Sequence, residues 1–137
     1  MPTLHAAVLC DSAHKEFGTG KWILVGTWTI VHALAVPVLH PSCALYLCIS
    51  DANGDYDMEL QLVHLGEEER VLARLPGKFS CRDRLEMTDA GITIRGLRFE
   101  AFGKYEFRVL LDGTLVGGKP FWVKQTQPPP AREGKEE

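Results

Sequence analysis

Four groups of residues hold side chains that chemistry uses. Asp11, Ser12 and His14 supply the acid, hydroxyl and imidazole of a hydrolase triad. Triad members converge from separate loops, however, whereas these three are close neighbours, and no Gly-x-Ser-x-Gly elbow presents a nucleophile. Phe17-Gly-Thr-Gly20, followed by Lys21, has the glycines of a phosphate loop without its Lys-Ser/Thr ending. Asp51-Ala-Asn-Gly-Asp55 spaces oxygens as a calcium loop does. The twelfth residue from Asp51 is Leu62, where such a loop needs a bidentate Glu. Asn-Gly between alternating apolar runs signals a hairpin turn instead. The histidines at 5, 14, 32, 40 and 64 form no His-x-His or His-Glu-x-x-His pair. With no activated acid, base or nucleophile in view, the chain reads as a non-enzyme without a cofactor.

Cysteines stand at 10, 43, 48 and 81. Structural zinc takes ligands paired two to four residues apart, and His40-Pro-Ser-Cys43 is the nearest approach to that spacing. His40, Cys43 and Cys81 are therefore the candidate metal ligands. Cys48 sits inside Leu45-Tyr-Leu-Cys-Ile49, which reads as a strand interior. Buried, inert thiols are the expected state, with no metal bound.

The elements that must position these residues alternate with a period of two. In Gly103–Asp112, Tyr105, Phe107, Val109 and Leu111 share one face while Glu106 and Arg108 take the other. Asp112-Gly113 turns the chain back into Thr114–Lys124, and Gly117-Gly118 predicts a bulge there. Ala44–Ser50 and Tyr56–His64 read as a second hairpin around the Asn-Gly turn. Arg70–Leu75 and Lys78–Cys81 read as short strands separated by Pro76-Gly77. Leu4–Cys10 and Trp22–Val31 read as strands, Ile92–Arg95 with Leu97–Phe99 supplies one more, and only Arg82–Ala90 has room for a helical turn. About eight short strands with frequent turns predict an all-β antiparallel sandwich, immunoglobulin-like or closely related. Tyr105, near the start of the penultimate strand, is placed for a tyrosine corner, although no Cys follows two residues later. At 137 residues the chain suits one domain over 1–124. The Pro-rich, charged stretch 125–137 has little to bury and is expected to be disordered.

The chain resembles a family of small, uncharacterised bacterial proteins gathered as a domain of unknown function. The resemblance rests on Ala6-Ala-Val-Leu-Cys-Asp11, on Gly20-Lys-Trp-Ile-Leu-Val-Gly26, and on the Gly103-x-Tyr105-x-Phe107 … Asp112-Gly113 hairpin. It spans most of residues 4–124. It implies a compact β-sandwich from a bacterium and brings no activity, cofactor or catalytic residue.

A net charge of −3 with scattered Lys and Arg gives no nucleic-acid footprint. No window reaches the ~18 apolar residues of a membrane helix, and residues 1–11 lack a basic, signal-like start. A cytosolic location is the expectation. The informative oddity is apolar surplus. Within Trp22–Val31 the even residues Trp22, Leu24, Trp28 and Ile30 form a core face, yet Ile23, Val25 and Val31 on the odd face are apolar too. Trp122 likewise falls opposite Phe121 and Val123. Either Ala33–Pro41 folds over this outer face, or Ile23, Val25, Val31 and Trp122 form an interface. The expected function is thus a non-catalytic interaction or structural module that self-associates. The alternative is a small-ligand or metal-binding sandwich using His40, Cys43 and Cys81.

Overall fold

A computed structural model describes residues 1–127. Nine strands follow in chain order: β1 (Thr3–Lys15), β2 (Trp22–Thr27), β3 (Ile30–Ala33), β4 (Val38–Ser50), β5 (Gly54–Leu65), β6 (Glu69–Cys81), β7 (Thr88–Phe99), β8 (Gly103–Leu111) and β9 (Thr114–Gln125). They form a four-stranded sheet, β2-β1-β4-β7, and a five-stranded sheet, β3-β9-β8-β5-β6. All neighbours are antiparallel except β3 and β9, which run parallel. The two sheets make an all-β sandwich, and the described residues contain no helix.

The core follows from the alternation in β8. Tyr105, Phe107, Val109 and Leu111 are buried, as are Phe121 and Val123 of β9 and Leu45, Leu47 and Ile49 of β4 across the gap. Phe121 stacks on Tyr105 at 5.6 Å and on Phe107 at 5.3 Å, with Phe99 edge-on at 5.8 Å. Offset and edge-to-face pairs at these separations are the favourable aromatic arrangements. The Tyr105 hydroxyl donates to the Ala101 carbonyl at 2.6 Å, which is the corner expected of this residue. Asp112 and Gly113 have φ of 49° and 83°, as a two-residue hairpin turn between twisted strands demands. The β8–β9 register shifts one residue from Gly117, which pairs with Val109 while Leu115 pairs with Leu110. A Cβ on Gly117 would stand 2.5 Å from Leu4 Cδ2, so glycine lets β1 close over the seam.

Several connections differ from the sequence reading. The Asn-Gly segment does not close a hairpin: β4 lies in one sheet and β5 in the other, where β5 pairs with β6 and β8. Ala52, fully buried, anchors this crossover. A turn signal marks where the chain reverses but does not name the partner. Strand β6 runs unbroken through Pro76-Gly77, because an edge strand tolerates the missing N–H. Trp22–Val31 is two strands in different sheets, with the switch at Trp28-Thr29. Val38–Pro41 opens β4 rather than covering an outer face. Arg82–Met87 is a turn whose Asp83 carboxylate accepts from Leu85 N at 2.9 Å. Strand β9 continues to Gln125, and Thr126 N donates to Ala33 O at 2.8 Å. The rest of the expected tail, from 128 on, lies outside the described residues.

Candidate interaction surface

β1 outruns its pairing with β4, which ends at Cys10, and its last residues pair with β2 to form an arm. A compact tip closes the arm: Glu16 N donates to Lys21 O at 2.7 Å, and Gly20 N to Glu16 O at 3.0 Å. Trp22, on one side of the arm, reaches the outer face of the four-stranded sheet. Its ring centroid is 5.9 Å from that of Tyr46, and a Cβ on Gly91 would fall 2.4 Å from its Cζ3. Cys10 and Ala44 are buried although neither belongs to the core between the sheets. The arm therefore builds a thin second layer on the sheet's outer face. The arm's opposite side carries Ile23 and Val25, 46% and 49% exposed. They sit beside His14 and Ser12 of β1 in register. At the tip Phe17 is fully exposed.

The four residues expected to form one apolar patch fall in three places. Ile23 and Val25 are together on β2. Val31 is 7% exposed and packs in the core on β3, opposite Val123, so it offers no outer surface in this chain. The sheet switch at Trp28-Thr29 reverses inside and outside between Val25 and Val31. Trp122 lies on the other sheet, half-buried, with Lys104 Nζ 5.4 Å from its ring centroid.

The thiols and imidazoles also separate. His40 and Cys43 are on β4, while Cys81 ends β6 in the other sheet, where its sulfur accepts from the Thr88 hydroxyl at 3.0 Å. Among the described residues no three His, Cys, Asp or Glu side chains converge on a possible metal position. Burial, reinforced by Cys10 and Asp11, pushes the Cys43 thiol up to about 11, away from the thiolate that metal binding and nucleophilic attack require. Ser12 Oγ lies 3.1 Å from His14 Nε2, but Asp11 turns its carboxylate toward Gly26, so the acid that would orient the imidazole is missing from the pair. Nothing in the spacing of residues signals the contact between His40 and Trp28, whose ring centroids are 5.2 Å apart. Both His40 Nε2 and Trp28 Nε1 are buried without a hydrogen-bond partner, and burial lowers the His40 pKa against a weaker pull from Asp11.

The outer face of the five-stranded sheet is built differently. Glu59 accepts from Gln61 and Arg74 at 2.6 and 3.0 Å, Lys78 pairs with Asp57, and Arg108 holds both oxygens of Glu69 at 3.2 and 3.1 Å. Asp57, Glu59, Gln61, Arg74, Lys78 and Leu110 line a shallow groove of about 580 Å³ on it.

Among solved structures, the chain is similar to the alkylpurine DNA glycosylase AlkC of Pseudomonas fluorescens bound to DNA containing an abasic site analogue. The TM-score is 0.44 at 10% identity over 90% of this chain, and the chain spans 30% of that glycosylase's length. No curated protein matches the sequence. Residues 5–124 match the family of unknown function DUF6941, and the chain belongs to that family.

Proposed function

We propose that this protein is a non-catalytic interaction module that self-associates. One observation carries the reading: Ile23 and Val25 stand about half exposed, side by side, on an uncharged edge strand. Fully burying an aliphatic side chain contributes roughly 1.5–3 kcal/mol, so covering the exposed part of these two repays part of the cost of association. The tyrosine corner and the two-sheet arrangement support an immunoglobulin-like class. Four free cysteines support a reducing, cytosolic setting. Native mass spectrometry on gently purified protein tests the proposal. A clean multiple of the 15.3 kDa chain is expected, and a bare monomer at every concentration would sink self-association.

A second reading, a small-ligand-binding sandwich, is favoured by the groove beside Glu59 and Arg74. A monomer carrying a constant extra mass in the same spectrum would support it in place of self-association.

A further inference from the structure

We infer that two copies of the chain join through the free edges of β2, antiparallel about a two-fold axis, so that the two β1–β2 arms form one four-stranded ladder. The inference rests on the self-association proposed above and names its geometry.

Edge strands carry unpaired backbone donors and acceptors that template another strand, and proteins blunt them with charge, proline, bulges or shortness. The sandwich has four edges. β6 is blunted by Arg70, Arg74, Pro76 and Lys78. β7 carries Asp89, Arg95 and Arg98, and Gly96 at φ 71° breaks its regular backbone. β3 has four residues. β2, Trp22-Ile-Leu-Val-Gly-Thr27, has neither charge nor proline; its own irregular residue, Gly26 at φ 69°, stands next to its end and leaves Trp22–Val25 regular, and its exposed side chains are β-branched. Of the two edges without Asp, Glu, Lys or Arg, β2 is longer than β3, and such a strip pairs with its own copy free of like-charge repulsion.

The surrounding charges select the direction. The arm's tip carries Lys15 and Lys21, against Glu16, while its base carries Asp11 beside Gly26. Antiparallel alignment sets each tip beside the other copy's base, so opposite signs approach, whereas parallel alignment stacks like with like. The two-fold then brings Ile23 and Val25 of both copies onto one face, where four β-branched side chains cover one another. Closing the pair consumes both β2 edges, which limits the assembly to two chains by this contact.

Hydrogen exchange and native mass spectrometry on the full chain across a concentration series test this. The expected result is a mass of two chains, with amides of Ile23–Thr27 exchanging at least about tenfold more slowly in the dimer. Val25→Lys, on the solvent side of the arm, is expected to return the protein to monomer and remove that protection. A dimer whose β2 amides exchange as in the monomer overturns the inference while leaving self-association standing. A monomer throughout overturns both. Should Val25→Lys fail to fold, the exchange pattern of the unmodified chain decides.

Discussion

The outer faces of the two sheets meet water in opposite ways. On the five-stranded sheet the outward polar side chains of β5, Asp55, Asp57, Glu59 and Gln61, each find a partner on β6 or their own strand, as Glu59 does with Arg74 and Gln61. On the four-stranded sheet Val8, Cys10, Ala44 and Tyr46 offer little charge, and the arm bends across them with Trp22 as its contact. Covering an apolar face with another apolar strand moves the problem outward by one layer, and Ile23 and Val25 are its residue. A charged ladder ends at solvent, whereas a covered face ends in a new apolar surface.

The arm's seat is the first place to break this contrast. Gly91→Val puts branched carbons where the Trp22 ring lies, and overpacking of this kind costs about 1–3 kcal/mol. The expected outcome is a lowered denaturation midpoint, red-shifted tryptophan emission and early proteolysis near Glu16–Lys21, with β8–β9 exchange unchanged. Uniformly faster exchange in both sheets would show that the arm is part of one cooperative unit. A smaller change touches the core shared by both faces. Tyr105→Phe leaves the Ala101 carbonyl without its donor and should cost about 1 kcal/mol in chemical denaturation while the assembly state stays fixed. Loss of the dimer in this variant would mean that the contact reads the whole sandwich.

The smallest effect sharpens the other side. Glu59 is held below its ordinary 4.5 by the Gln61 hydrogen bond and by Arg74, and Glu69 by its bonds to Arg108. A carboxylate whose folded pKa is lowered adds stability that is present above its ordinary value and lost as pH falls through the lowered one. Acid below about pH 4, or high salt, should therefore slightly lower the protection of β5, β6 and β8 amides relative to their intrinsic exchange rates at the same pH, while that of the uncharged β2 stays unaffected. Equal salt dependence in both regions would remove the distinction.

What the sequence disclosed was what is local. The β8–β9 hairpin was legible because Tyr105 through Leu111 alternate without a break and Asp112-Gly113 supplies the two positive φ values. The tyrosine corner was legible because its bond spans four residues. The partner of a strand is a long-range fact, and there the pattern misled: Ala52 buries itself at a crossover that looks like a hairpin turn. The candidate surface was half visible. The apolar odd face of β2 marks Ile23 and Val25, but the same parity carried through Trp28-Thr29, where the chain changes sheets, points wrongly to Val31. The Trp28–His40 contact joins residues from separate strands, and neither residue's neighbours announce the other.

The parallel pairing of β3 with β9 bears on how the protein carries load. Tension along the chain draws β9 toward its C-terminal end and β3 toward its N-terminal end. In parallel strands those pulls oppose one another along a common axis, so the four pairs from Ile30–Trp122 to Ala33–Gln125 slide under stress together instead of opening singly. The same pull shears β1 against β4 and β9 against β8, so the clasp shares the load with those two antiparallel ladders.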